Sequence, residues 1–240
     1  MNHQQLRLEI YGEQRQLLKT YIEKKWDNFD LKNYHFMSAN LGKCLPGIAA
    51  EQHKQVYHDI LSYRALQSID TRFYEHFDNI DDFKDFNYEK IKEQLPAVFV
   101  SFHLGSFRSA LAFLIRYNLD VVLIIDPLPY RLQKDAIISQ YEVMKQAFGS
   151  ASDLVIYPAD QKDLSIQLLD KTRKQYSVLA FIDGNTGFNG TFNQKKSEKI
   201  PFLGQEIAMR KGLAMLSFYS RRPIVPMLSF YDDRLQPRWK

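Results

Sequence analysis

Short runs of β-branched and aromatic residues alternate with helical stretches after Pro96, and such runs are typical of strands buried on both faces of a sheet. The predicted strands are residues 97–102, 120–126, 153–157, 177–183 and 223–231. The predicted helices between them are residues 106–117, 131–148, 162–175 and 206–219. Because strands that alternate with helices form βαβ units, the pattern predicts an α/β fold with a largely parallel sheet flanked by helices.

The first 96 residues are predicted to be helical. Apolar side chains such as Leu6, Ile10 and Leu17 recur at helix spacing, and a second amphipathic stretch covers residues 50–77. A Gly/Pro-containing break separates the two near residues 41–48, and residues 79–93 indicate a loop that leads into a short helix. The sequence therefore predicts a helical N-terminal segment, 1–96, and an α/β core, 97–240, that together form one compact unit.

Composition narrows the class of protein. Hydrophobic residues make up 45% of the 240 residues, which is enough to bury one sizeable core. No apolar run approaches the roughly 20 residues of a membrane-spanning helix, and the N-terminus lacks the apolar stretch of a signal peptide. The single Cys44 rules out an internal disulfide framework. These features predict a cytoplasmic protein, or one peripheral to the inner face of the membrane.

Charge is uneven along the chain. Residues 1–96 carry 13 Lys/Arg against 15 Asp/Glu, whereas residues 97–240 carry 19 against 13. The positive part favours phosphate, CoA, an acidic carrier protein or an anionic membrane face, although a solvated surface explains it equally well. The basic residues are scattered and match no nucleic-acid-binding motif, so we expect no nucleic acid. His53 and His58 are five positions apart without an acidic partner set, so we expect no metal.

Polar residues follow the predicted strand ends, where parallel sheets bind ligands. His103 follows the first strand, Asp126 ends the second and Asp183 ends the fourth. A histidine here suits general-base chemistry, although a structural histidine is the alternative. Gly105 would let a substrate approach the backbone, and Ser106 would cap the next helix. Free amide groups at that helix start would hold an anion or a developing oxyanion.

Four short motifs occur in a fixed order. They are FHLGSFR at 102–108, FIDGNT at 181–186, PFLG at 201–204 with IAMRKGLA at 207–214, and PIVPM at 223–227. Together they resemble the lysophospholipid acyltransferase superfamily, especially the branch that adds late acyl chains to lipid A. The resemblance covers about residues 97 to 231. It implies acyl transfer with His103 as the base, acyl-CoA or acyl-phosphopantetheine as the co-substrate, and no metal or redox cofactor.

The chain departs from that family at two points. Arg108 stands five positions after His103, where the family has an acid, and the membrane-embedding N-terminal helix of the lipid A branch is absent. Asp183 is the leading replacement acid and Asp126 the second, with helix capping or a turn hydrogen bond as the alternative for each. Arg108 itself is suited to bind a carboxylate or a phosphate.

Two further residues are predicted to bind substrate. Asn185 lies in a glycine-rich loop, DGNTGFNG at 183–190, that would close over substrate or would be a plain flexible loop. Arg210, with neighbouring lysines, would meet CoA phosphates or an acidic carrier protein, or would form part of a solvated face.

Three functions follow from these observations. The first is an acyltransferase that uses a thioester donor, either acyl-CoA or an acyl carrier protein, and a hydroxyl or amine acceptor. The second is a catalytically silent protein that binds an acyl chain or carrier in the same crevice, which Arg108 favours. The third is a phospholipid acyltransferase that rests peripherally on a membrane.

Overall fold

The computed structural model describes residues 9–14, 16–18, 20, 31–70, 88–183, 197–232 and 237–239. The chain forms two compact units. One contains Met1–Phe73 and Glu198–Met209, and the other contains Tyr74–Ser197 and Arg210–Lys240. This division differs from the boundary predicted at residue 96. The first part of the first unit ends at Phe73, and the unit also contains the later segment Glu198–Met209.

Among the described residues, helices precede the first strand, which begins at Val98. Residues 9–14, 16–18 and 20 are helical. The helices that follow are α1 (Leu31–Cys44), a 3₁₀ turn (Ala50–Gln52), α2 (His53–Asp70), α3 (Tyr88–Lys92), α4 (Ser109–Arg116), α5 (Pro127–Phe148), α6 (Leu164–Arg173) and α7 (Gly212–Ser220). The strands are β1 (Val98–Ser101), β2 (Val121–Ile125), β3 (Leu154–Pro158), β4 (Ser177–Phe181), β5 (Ser197–Phe202), β6 (Gln205–Arg210), β7 (Ile224–Met227), β8 (Ser229–Tyr231) and β9 (Pro237–Trp239).

A five-stranded sheet forms the centre of the second unit. Its strand order is β3-β2-β4-β1-β7, and all neighbouring strands are parallel. The predicted α/β fold with a parallel sheet flanked by helices is confirmed, as are helices in the N-terminal segment. Strands β1 to β4 lie within one residue of, or inside, the ranges predicted from the sequence.

Both faces of this sheet are buried, which explains its unbroken apolar strands. On one face, alternate residues such as Phe99 and Leu179 pack with most of α4 and with Tyr141 and Met144 of α5. On the other face, Val98 and Val178 pack with side chains of α6 and α7. Side chains alternate across each strand, so every position of a central strand needs an apolar residue.

The connections of the sheet leave β1 and β4 in opposite directions. From β1 the chain passes through α4 to β2, whereas from β4 it passes through α7 to β7 on the other side of β1. Helices α4 and α7 lie on opposite faces of the sheet. Parallel sheets with such a reversal have a crevice beyond the carboxyl ends of the two strands concerned.

Two sequence predictions for the C-terminal part are wrong. Residues 206–219 do not form one helix, because Gln205–Arg210 is strand β6, paired with β5 through the turn at Leu203 and Gly204, and the helix is only Gly212–Ser220. Both turn residues have positive φ, 48° and 71°, as a two-residue hairpin turn requires. The IAMRKGLA stretch has good helix formers, but strand pairing overrides this preference in its first half.

The predicted strand 223–231 is also two strands. Ile224–Met227 joins the central sheet beside β1, while Ser229–Tyr231 leaves that sheet and pairs antiparallel with Pro237–Trp239. Trp239 is fully buried in the core beside α4. The β8–β9 pair therefore lies against the beginning of α4.

The first unit contains a buried histidine. His53 at the start of α2 is 4% exposed; its Nδ1 lies 2.8 Å from the Ser38 hydroxyl, and its Nε2 lies 3.2 Å from the Ile48 carbonyl oxygen. Both ring nitrogens thus have protein partners that link α2 to α1 and to the preceding turn. None of the helices that the structure describes is both long enough and apolar enough to cross a membrane.

Candidate active site

The register of β1 and β4 brings His103 and Asp183 together. Ser101 pairs with Phe181 at the carboxyl ends of the two strands, and the Ile182 N–H donates to the Ser101 carbonyl oxygen at 2.9 Å. His103 and Asp183 each lie two residues beyond this pair. Because the strands are parallel neighbours, both residues enter the crevice at the same edge of the sheet.

The Asp183 carboxylate binds His103 through both oxygens. Oδ1 lies 2.8 Å from the ring Nδ1, and Oδ2 accepts a hydrogen bond from the His103 backbone N–H at 2.8 Å. A carboxylate only accepts hydrogen bonds, so the proton of the neutral ring is on Nδ1 and the lone pair is on Nε2. The His103 side chain is 46% exposed, which leaves the ring accessible from solvent.

Two phenylalanines hold the plane of the imidazole. The Phe107 ring meets His103 edge-on, with centroids 4.6 Å apart, and the Phe181 ring lies 4.8 Å away at an angle of 33°. The two phenylalanines also contact each other at 5.1 Å. These contacts restrict ring rotation, so Asp183 and the aromatic pair fix the direction of Nε2. Neither phenylalanine was predicted from the sequence, although Phe107 lies four positions after His103 and Phe181 two positions before Asp183.

Gly105 is packed against the β8 strand. Its φ is +53°, and a Cβ at this position would lie 2.7 Å from the Ser229 carbonyl carbon and 2.8 Å from the Phe230 nitrogen. Only glycine tolerates both the backbone conformation and this close contact. The lack of a side chain is therefore explained by backbone packing, whereas we had expected it to admit a substrate.

The expected capping role of Ser106 is wrong. Helix α4 begins at Ser109, its N-cap is Arg108, and no side chain caps it. Instead the Ser106 carbonyl oxygen accepts from the Ser109 N–H at 2.9 Å and from the Ser109 hydroxyl at 2.6 Å. The Trp239 indole N–H donates to that same hydroxyl at 3.1 Å, which ties the His103 loop to β9.

The hydroxyls of Ser106 and Ser229 are buried, and neither has a hydrogen-bond partner among the described residues. The two residues are 0% and 2% exposed. A buried hydroxyl without a partner costs free energy, because it has lost its hydrogen bonds to water.

Arg108 is exposed and lies between the His103 loop and the start of α4. Its guanidinium carbon lies 5.8 Å from the centroid of the Phe107 ring, a cation–π distance. No carboxylate of the described residues forms an ion pair with it. Arg108 thus places a positive charge near His103, whereas the family that the four motifs resemble has a negative charge at this position.

The remaining predicted residues lie outside the His103–Asp183 pair. Asp126 caps α5, because its Oδ1 accepts from the Leu128 N–H at 3.0 Å; it is the helix cap that we had considered as the alternative, not the partner of His103. Arg210 is the last residue of β6 and its side chain is exposed. Asn185 lies outside the described residues.

The site so defined is a histidine–carboxylate pair in the crevice of a parallel α/β sheet. No group of three or more His, Cys, Asp or Glu side chains within the described ranges is placed to hold a metal ion. Comparison of the chain with protein-family models and with curated proteins gave no match.

Proposed function

We propose that this protein is an acyltransferase that moves an acyl group from a thioester donor, acyl-CoA or an acyl carrier protein, to a hydroxyl or amine acceptor. The observation that carries the proposal is the hydrogen bond between His103 Nδ1 and Asp183 Oδ1 at 2.8 Å. It leaves the Nε2 lone pair on an accessible imidazole, as a general base requires. The resemblance of the FHLGSFR segment to an acyltransferase histidine motif supports the same reaction.

In the proposed reaction, Nε2 of His103 accepts the proton of the acceptor hydroxyl or amine while that atom attacks the thioester carbonyl carbon. Collapse of the tetrahedral intermediate breaks the C–S bond, and the departing thiolate takes the proton back from Nε2. Asp183 keeps its hydrogen bond to Nδ1 and stabilises the imidazolium that forms between the two steps. The proposed reaction changes no oxidation state and therefore needs no redox cofactor.

The oxyanion of the intermediate needs hydrogen-bond donors. The backbone N–H groups of Leu104 and Gly105, next to His103, donate to no acceptor within the described part of the chain. Leu104 is exposed and Gly105 is half-buried, so these donors lie near the surface of the crevice. We assign the stabilisation of the oxyanion to them, with the Arg108 charge nearby.

The test is thiol release from a panel of acyl-CoA and acyl-pantetheine thioesters of different chain length, with hydroxyl and amine acceptors. His103→Ala is expected to abolish turnover, whereas His35→Ala, which removes an exposed histidine of α1, is the matched control and retains it. Turnover that survives His103→Ala would remove this residue from the mechanism. Thioester binding without turnover in the wild type would favour the silent binding protein, which the positive charge at Arg108 also supports.

A further inference from the structure

Helix α7 is apolar on every side but is buried on only one. Its sequence, GLAMLSFYS, contains no charged residue. Leu216 is buried against the sheet, whereas Met215, Phe218 and Tyr219 are 44%, 76% and 62% exposed. These three residues lie three and four positions apart and therefore share one helix face. A helix that is apolar all round normally has a partner on each side.

An open depression adjoins the C-terminal end of α7. It has a volume of about 570 Å³ and is lined by Phe218, Arg221 and Arg222, with Ser217, Pro223 and residues 93–95. Neither arginine forms an ion pair with any described residue. Two cationic side chains against the single Glu93 give this depression a positive charge. Apolar side chains and uncompensated guanidinium groups thus lie side by side on one surface.

We propose that this surface, Met215, Phe218, Tyr219, Arg221 and Arg222, docks on an anionic phospholipid membrane. The aromatic rings and the methionine would enter the boundary between headgroups and acyl chains, as the apolar face of an interfacial helix does. The two guanidinium groups would bind lipid phosphates, each contributing about fivefold to membrane partitioning.

A membrane fits this surface better than a protein partner. A specific protein interface needs roughly 20 to 30 residues on each side, and the α7 surface offers five. A membrane needs no such area, because a few apolar insertions and lysine or arginine contacts add up to weak, reversible binding. The surface is also at the opposite end of the sheet from His103, since Pro223 and residues 93–95 precede the strands β7 and β1.

The experiment is co-sedimentation of the 240-residue chain with vesicles of phosphatidylglycerol and phosphatidylcholine, compared with vesicles of phosphatidylcholine alone. Binding is expected only to the anionic vesicles and is expected to weaken as salt is raised. The double variant Arg221→Ser with Arg222→Ser is expected to lower partitioning by about thirtyfold, and Phe218→Ser by about tenfold. Circular dichroism checks that each variant is folded.

Ile166→Ser is the matched control, because Ile166 is 67% exposed on the neighbouring helix α6 and lies outside the proposed surface. It is expected to leave partitioning unchanged. His103→Ala is also expected to bind vesicles normally, so failure of the acyltransferase proposal is separate from failure of this one. The docking proposal is overturned if the wild type does not sediment with anionic vesicles, if the control loses as much binding as Phe218→Ser, or if Phe218→Ser instead dissolves a dimer of the wild type.

Discussion

Replacing Asp183 with asparagine tests the role of the carboxylate with the least change of shape. Asp183 gives one oxygen to the His103 backbone N–H and the other to Nδ1, each at 2.8 Å. Asparagine has a single acceptor oxygen and an NH₂ group that only donates. If its oxygen keeps the backbone bond, the NH₂ group faces Nδ1, which must then accept. The ring proton moves to Nε2, and the lone pair needed for base chemistry is lost.

The expected loss of turnover follows from that change of tautomer. General-base catalysis contributes about 10²- to 10⁴-fold, and each tenfold step corresponds to about 1.4 kcal/mol. We therefore expect kcat to fall by about 10²- to 10⁴-fold in Asp183→Asn, or about 3 to 5 kcal/mol of transition-state stabilisation. The KM for the thioester should change little, because the change of tautomer affects proton transfer from the acceptor and not the binding of the thioester donor.

Two measurements check this expectation. Thiol release gives kcat and KM, and ¹⁵N NMR of the imidazole identifies which nitrogen of His103 carries the proton, with no need for a substrate. Asp126→Asn is the control: Asp126 also follows a strand end but caps α5, and asparagine caps helices as well as aspartate does. An Asp183→Asn protein with the wild-type tautomer and wild-type kcat would refute the reasoning.

Three further outcomes concern stability. Gly105→Ala should lower the free energy of unfolding by about 2 kcal/mol or more, measured by urea denaturation, because alanine is strained at φ +53° and meets Ser229; an unchanged midpoint would contradict the packing described. Trp239→Phe should cost about 1 to 3 kcal/mol in the same assay, since it removes a buried indole and its hydrogen bond to α4. The hydrogen bond to Asp153 raises the pKa of Tyr176 from 10.0 to about 12, so the folded protein holds this proton more tightly. Its contribution to stability is complete below pH 10 and is lost as pH rises to 12, and Tyr176→Phe should flatten the fall in melting temperature in that window.

The central sheet could be predicted because its strands are buried on both faces. Each of β1 to β4 is a run in which nearly every residue is apolar, and this local pattern does not depend on the partner. Strand β6 has no such pattern: Gln205–Arg210 contains polar and charged residues, and only its pairing with β5 makes it a strand. Its sequence alone favours a helix, so the prediction failed there.

The candidate site was predictable to a similar depth. Strand ends identified His103 and Asp183 as candidates, and the parallel register explains why they meet. Sequence could not show that Asp183 uses both oxygens, since this depends on the rotamer and on the exact end of β4. Sequence also could not show that Ser229 packs against Gly105. These residues are far apart in the chain, and no sequence pattern in β8 indicates a contact with the residues after His103.

His103 and Asp183 come from chain segments 80 residues apart. The histidine loop therefore does not carry its own acid, and substitution at residue 108 leaves the hydrogen bond to Nδ1 untouched. Position 108 can therefore hold a positive charge beside Phe107 without loss of that hydrogen bond. A nascent chain that ends before β4 has the histidine but not its carboxylate. The pair is thus complete only once β4 has inserted beside β1, so formation of the site requires closure of the sheet.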